Sequence, residues 1–296
     1  MAGQLGTHSL AALSFSNSII SVIMITSMIG ISNIGPRVSN VLAQSKKSNS
    51  PKMDIINNGI APIFAAGLLI AFFFTITAAI LIAFAWYNLE AFDQDPHVTN
   101  LAKDYIPKIG QSLIFVFCFQ AVKALLEGYK KSIAATIIVF SVIPLNIFLN
   151  YILMFGSEHF FQALGLTVQK NLAAYDSIFH TFFIEPMGLE GLALATLLSR
   201  IVMFIAIFAV YYRKVISPLF AKSAMGGKLK AESSLLFKRA LPSAFMTLVE
   251  VLAFAAAGIM CGWLGPQFQA AHQIALSLAS ATFMIALGLS FSASVY

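Results

Sequence analysis

The sequence contains few charged residues and only two cysteines. Asp, Glu, Lys and Arg make up 10% of its 296 residues, whereas a soluble domain carries about 25%. Apolar residues make up 59% of the chain, and the mean hydropathy is +0.85. This composition excludes a soluble enzyme and an intrinsically disordered protein. Cys118 and Cys261 stand alone within apolar runs, which excludes a disulfide-stabilised secreted domain.

The sequence also lacks the short motifs of soluble active sites. It has no glycine-rich loop followed by Lys-Ser or Lys-Thr, no His/Cys metal-ligand spacing and no Gly-x-Ser-x-Gly nucleophile elbow. We therefore expect no enzyme activity, no cofactor and no resident metal. The net charge of +6 comes from bases in separate short loops, so we expect no nucleic-acid partner.

Long apolar runs fill most of the chain. A bilayer core needs about 20 apolar residues per helix, and seven segments reach that length. They are Leu10–Ile34, Ile60–Trp86, Ile106–Leu125, Ser132–Phe155, Gly191–Tyr212, Leu241–Gly262 and Phe268–Val295. The predicted fold class is all-α, a polytopic membrane helical bundle of about seven transmembrane helices in contact with the lipid bilayer. Because no Lys or Arg precedes the first segment, it is not a cleaved signal peptide.

The charged residues of the loops alternate in sign along the chain. Twelve of the 18 basic residues lie in three loops, at residues 46–52, 130–131 and 213–239. Acidic residues predominate in the two loops between them, at residues 90–104 and 158–185. The positive-inside rule then places the three basic loops in the cytoplasm and the N-terminus outside. We expect a multi-pass integral protein of the bacterial inner (plasma) membrane.

Two loops carry further signals. Asp95 followed by Pro96 is typical of a helix N-cap and first helical residue. The loop at 156–186 contains several large apolar residues, which favour an interfacial helix of the outer leaflet, with a substrate gate as the weaker alternative. They include Phe160, Phe161, Leu164, Phe179, Phe182 and Phe183.

Residues 5–21 and 264–280 are similar to each other. At an offset of 259, LGTHSLAALSFSNSIIS and LGPQFQAAHQIALSLAS share Leu, Gly, two Ala and two Ser. Slipping the register by one residue aligns Gly30 with Gly288. The last segment therefore repeats the first, as in carriers built from a parallel duplication.

The repeat predicts the domain organisation. A whole segment stands before the second copy, but only Met1–Gln4 stand before the first. Two six-helix units would give about twelve helices, so the chain is expected to be truncated at both ends. We predict an N-terminal lobe without its first helix (1–213), a cytoplasmic inter-lobe linker (214–240) and the first two helices of a C-terminal lobe (241–296).

Several stretches along the chain resemble one transporter family. They are MAGQLGTHSLAALSFSNS, DQDPHVTNLAKDYIP, EGYKKS, PLNIFLNYILMFG, GLEGLALATLLSR and LPSAFMTLVEVLAFAAAGIMCGWLGPQFQAAHQIALSLAS. In order and spacing they resemble the multidrug and toxic compound extrusion (MATE) family, over nearly the whole chain. The resemblance implies a two-lobed antiporter of twelve helices that exports small organic cations in exchange for Na⁺ or H⁺. The coupling ion would then be the only inorganic partner.

Glu250 is the strongest candidate for a cation ligand. It lies about ten residues from either end of an apolar segment, where a carboxylate costs on the order of 2.5–3.5 kcal/mol. One carboxylate can hold either a coupling ion or a cationic drug, and the resemblance implies a functional acid at this position. The alternative is an acid that neighbouring polar groups satisfy.

Other polar residues within the segments are weaker candidates for cation or substrate binding. Asn146 and Asn150 lie four residues apart on one helical face, where some members of the resembled family have an Asn and an Asp. Interhelical hydrogen bonding is the stronger reading for this pair. Gln120 is expected to line the cavity, Lys123 to extend to the membrane surface, and His272 is a weak candidate for a proton relay.

Two functions remain beside multidrug efflux. The chain could be a truncated remnant that transports nothing, or an assembly partner whose missing helices another chain supplies. A lipid-linked sugar flippase is a weaker reading, because it needs several bases for pyrophosphate. Only Arg37, Lys123 and Arg200 stand near the segment ends.

Overall fold

The computed structural model describes residues 2–48, 59–156, 185–211, 216, 219 and 227–295, and the regular structure of these residues is helical. Short 3₁₀ turns cover Ala2–Leu5 and Leu89–Phe92. The longer helices are α1 (Thr7–Ser32), α2 (Ile34–Ser48), α3 (Ala61–Tyr87), α4 (Pro96–Gly128), α5 (Ser132–Phe155), α6 (Gly188–Tyr211), α7 (Gly227–Trp263) and α8 (Pro266–Val295). The predicted interfacial helix in the 156–186 loop lies outside the described residues.

The prediction of seven membrane-spanning helices is confirmed. Seven helical stretches of the described residues are long and apolar enough to cross a bilayer, with α1 and α2 forming one continuous stretch. The boundaries of α3, α5, α6 and α8 agree with the predicted segments to within a few residues. The fold class is therefore an all-α membrane bundle.

Helix α4 begins ten residues earlier than its predicted segment. The carboxylate of Asp95 accepts hydrogen bonds from the backbone N–H groups of His97 (2.8 Å) and Val98 (3.3 Å), and Pro96 is the first helical residue. This confirms the predicted cap. The cap adds three turns ahead of the apolar stretch, which hydropathy alone does not detect.

Helix α7 corrects the predicted start of the sixth segment. The helix begins at Gly227 rather than at Leu241 and continues through Pro242, so half of the predicted linker (214–240) is helical. Leu236 and Ala240 are buried there. Arg37 of α2 donates two hydrogen bonds, of 2.6 and 2.9 Å, to the carboxylate of Glu232. This ion pair anchors the charged part of α7, which lacks the apolar run that the prediction required.

The helices alternate in direction around α4. Stacking of His8 on His97 and the Ser32–Gln120 hydrogen bond show that α1 and α4 run parallel. Helix α6 runs parallel to both, and α3, α5 and α7 run antiparallel to them. In α4, 67% of the most apolar 18-residue stretch is buried, against 0% in α8. Helix α4 is thus the centre of the bundle and α8 its least covered element.

Helices α5 and α6 pack with their backbones close together. A Cβ atom on Gly191 would collide with the backbone carbonyl of Leu153, so only glycine fits there. Ala195, one turn after Gly191, continues the same small-residue face and is fully buried. Small residues allow such close helix packing in membranes.

Candidate functional site

One layer of the bundle joins the three parallel helices α1, α4 and α6 through a single charged side chain. Arg200 of α6 donates one Nη–H to the hydroxyl of Ser112 on α4. Its other Nη donates to the thioether sulfur of Met24 on α1, at 3.4 Å. Arg200 is the thirteenth residue of the 24-residue helix, so this layer lies near the middle of the spanning segment.

The guanidinium of Arg200 has no acidic partner among the described residues. The four ion pairs found there involve other bases. Ser112 is fully buried and donates its own hydroxyl proton to the carbonyl of Ile109 at 2.6 Å. Tyr105, two turns before Ser112 on α4, is also buried. The described hydrogen-bond partners of the cation are therefore neutral.

The sequence analysis treated Arg200 only as one of three bases near segment ends, and so missed its position. The sequence did contain a signal for this position, because Arg200 is the one charged residue between Gly191 and Tyr212. A basic residue at the centre of a membrane helix is costly and marks a functional position by default. The same argument selected Glu250, and applying it to bases as well would have found Arg200.

Glu250 lies level with this layer but on an uncovered side of α7. Asn33 donates to Ser243 at 2.8 Å, and Ser18 lies against Gly258. Glu250 lies midway between these two contacts and is therefore level with residues 25–26 of α1, next to Met24. Its carboxylate is exposed, and the described residues provide no ion-pair partner for it.

The exposure of Glu250 extends along its side of α7. Met246 and Phe254, one turn before and after it, are 76% and 54% exposed. The structure thus places the carboxylate at mid-span, as the sequence predicts, without enclosing it. Its role as a cation ligand stays a prediction.

Asn146 and Asn150 form an interhelical hydrogen-bond chain. The amide of Asn150 donates to the carbonyl of Asn146 at 2.9 Å, and the amide of Asn146 donates to the hydroxyl of Ser199 on α6 at 3.1 Å. Asn150 is buried, and its own carbonyl oxygen has no hydrogen-bond donor among the described residues. The packing role that the sequence analysis favoured is present, and cation binding by this pair stays a prediction.

Gln120 links α4 to the end of α1. Its amide donates to the hydroxyl of Ser32 at 2.7 Å, while its buried carbonyl oxygen has no donor among the described residues. The four predicted site residues are spread over α4, α5 and α7. Among the described residues, the only hydrogen bond between two of them joins Asn150 to Asn146.

The weaker candidates Lys123 and His272 lie on α4 and α8. The ammonium of Lys123 lies 3.6 Å from the carboxylate of Glu127 one turn along α4, a half-buried ion pair near the end of the helix. His272 of α8 lies beside Gly258, and its buried Nε2 has no partner among the described residues. The described His, Cys, Asp and Glu side chains form no cluster that could hold a metal ion.

Comparisons with known proteins agree on one family. The family model MatE matches residues 1–152. A probable multidrug resistance protein NorM of Oceanobacillus iheyensis is 23% identical over 307 residues, which cover 100% of this chain and 59% of that protein. The protein of the same name from Halalkalibacterium halodurans is 25% identical over 297 residues, covering 100% of this chain and 57% of the relative.

A solved structure has the same helical arrangement. It is described as the inward-facing conformation of a multidrug resistance MATE family transporter of the MOP superfamily. The two chains superpose with a TM-score of 0.59 at 16% sequence identity, over 99% of this chain and 57% of the other. The chain thus spans a little under three fifths of the length of each of these three proteins.

Proposed function

The chain belongs to the MatE family, and from this premise we propose that it takes part in secondary multidrug efflux. It would export small organic cations across the bacterial plasma membrane in exchange for Na⁺ or H⁺. Proteins of this family are membrane transporters and not enzymes. The names of its relatives as multidrug resistance proteins support the choice of substrate class.

The observation that carries the proposal is the carboxylate of Glu250. It stands at mid-span on α7, is exposed, and has no ion-pair partner among the described residues. An ionised carboxylate at that depth gains stability from a bound cation and loses its charge when it binds a proton. A group that either H⁺ or a cationic drug can occupy, but not both together, is the minimum that exchange transport requires.

A lipid-linked sugar flippase is a less favoured function than multidrug efflux. Of the three bases that it would use, Arg37 pairs with Glu232 and Lys123 lies near Glu127. Arg200 alone is then left to bind a pyrophosphate, which carries several negative charges. We therefore keep multidrug efflux as the single proposal.

The test is dye transport by the purified chain in liposomes. Ethidium efflux would be followed after imposing either a proton gradient or a sodium gradient, and the gradient that drives it identifies the coupling ion. We expect Glu250→Gln to reduce efflux to the level of protein-free liposomes, because the neutral amide can hold neither cation. Glu250→Asp should keep part of the activity. The matched control is Glu185→Gln, an exposed carboxylate outside the helices.

Two results would contradict the proposal. Unchanged efflux by Glu250→Gln would remove the carboxylate from the mechanism. No efflux by the unmodified chain under either gradient would favour the alternative that it transports nothing by itself, or that another chain must supply further helices.

A further inference from the structure

We propose that Arg200 is the centre of an anion site within the membrane, and that its ligand is a carboxylate carried by an aromatic compound. The inference does not depend on the proposed cation efflux. It rests on the layer formed by Arg200, Ser112 and Met24, which we call the Arg200 layer.

The first step is the charge of this layer. A guanidinium stays protonated in proteins, so α6 carries a permanent positive charge near mid-span. Its described hydrogen-bond partners are a hydroxyl and a thioether. Glu190, the acid nearest along α6, is already paired with Lys108. Charges withdrawn from water are normally paired, and the described residues provide no acid for Arg200.

The second step is the number of free donors. A guanidinium has five N–H groups, and the described hydrogen bonds of Arg200 use two of them. The hydroxyl of Ser112 cannot reverse its bond easily, because its proton is held by the carbonyl of Ile109. Arg200 is only partly buried, so a ligand can approach the remaining N–H groups. A planar guanidinium matches a carboxylate through two parallel hydrogen bonds.

The third step concerns the aromatic side chains that lie one to two turns along α6 from Arg200 and on the neighbouring α4. One turn along α6 from Arg200, the ring of Phe204 lies 5.8 Å from the ring of Phe115 on α4. A second ring, Phe208, lies 4.7 Å from Phe204. An aromatic carboxylate can place its charge on Arg200 and its ring against these apolar groups. One guanidinium balances one charge, which favours a monovalent carboxylate over a phosphate ester.

The experiment measures benzoate binding to the purified chain by calorimetry at constant ionic strength. We expect saturable binding of benzoate and none of benzamide, which has the same shape without the charge. A benzoate concentration 100 times the Kd should raise the Tm of the chain by about 5 °C.

A second arm of the experiment uses 4-(aminomethyl)benzoate with benzylamine as its control. Tighter binding of this zwitterion than of benzoate would identify the carboxylate of a larger cationic compound as the ligand; equal or weaker binding would identify a free small acid.

The variants separate a binding site from a structural clamp. Arg200→Gln should weaken benzoate binding by about 10- to 100-fold, because a charge-assisted hydrogen bond is lost, and Arg200→Lys should weaken it less. Arg239→Gln, which removes an exposed arginine of α7, is the matched control and should leave binding unchanged.

Equal effects of benzoate and benzamide on the unmodified chain would overturn the proposal, whether or not Arg200→Gln folds. Equal benzoate binding by the unmodified chain and the Arg200→Gln variant would overturn it as well.

Discussion

Helices α1 and α8 begin with the same motif but occupy different surroundings. Gly6 and Gly265, at equivalent positions of the repeat, have positive φ angles of 102° and 121°. The N–H of each bonds to the carbonyl three residues earlier, in Gly3 and Gly262. The carbonyl of each then accepts the hydrogen bond of the residue four positions later. The local sequence therefore sets the same helix start twice.

Burial differs between the two copies. Phe15 of α1 is fully buried, whereas its equivalent in α8, Ile274, is 56% exposed. Ile19 is 8% exposed and its equivalent, Leu278, is 70% exposed. Helix α1 packs against α3, α4 and α7, while α8 contacts mainly α1 and α7. The comparison shows that a shared pattern determines how a helix begins and that its neighbours determine how much packing energy it contributes.

The largest difference is expected for the bulky residues at the equivalent positions. Phe15→Ala should lower the free energy of unfolding by about 3–5 kcal/mol, because it leaves a cavity against Phe92. Ile274→Ala should lower the free energy of unfolding by less than half as much, because most of the Ile274 side chain is exposed. Thermal unfolding of both variants in the same detergent provides the measurement. Equal losses of Tm would show that α8 is as well packed as α1.

The equivalent glycines inside the helices should respond with opposite signs. A Cβ on Gly30 would lie 2.6 Å from the ring of Phe74, whereas a Cβ on Gly288 meets nothing within 4 Å. Gly30→Leu should therefore destabilise the chain by about 1–3 kcal/mol through overpacking. Gly288→Leu should be neutral or stabilise by up to about 1 kcal/mol, because leucine is the better helix former. Denaturant titrations of both variants would measure their free energies of unfolding. A lower free energy of unfolding for Gly288→Leu would contradict the exposed placement of α8.

The smallest difference is expected at the helix starts. Gly6→Ala and Gly265→Ala each place a Cβ on a backbone with positive φ, which costs about 1–3 kcal/mol. Because space around both glycines is open, the cost comes from the backbone alone and should be the same in the two variants. Melting temperatures that differ between them would show that the two starts are not equivalent. Gly3→Ala, for which the added methyl also meets open space, is the control.

Most of the fold follows from the sequence. Hydropathy located every span, and the Asp95–Pro96 pair marked the true start of α4. Hydropathy failed at α7 because residues 227–240 are helical without being apolar, and a long-range ion pair to Arg37 holds them. No single-sequence pattern encodes a partner almost 200 positions away.

The candidate site was predicted less completely than the fold. The depth of Glu250 follows from counting residues along its span, but its exposure depends on which helices pack against α7. Asn146 was identified by its spacing to Asn150, yet its bond to Ser199 depends on the close approach of α5 and α6. Arg200 could have been identified from its central position in an apolar segment, but its bonds to Ser112 and Met24 depend on how α1, α4 and α6 pack together.

The contact between Gly191 and the backbone of Leu153 has a consequence for motion. If α5 and α6 slid past each other, the Leu153 carbonyl would leave Gly191 and meet residues that carry a Cβ atom. Any rearrangement must therefore carry the two as a single rigid piece, together with the asparagine chain that joins them. Cysteines introduced on α5 and α6 beside this contact, with Gly191 left in place, should form a cross-link in every state of the protein.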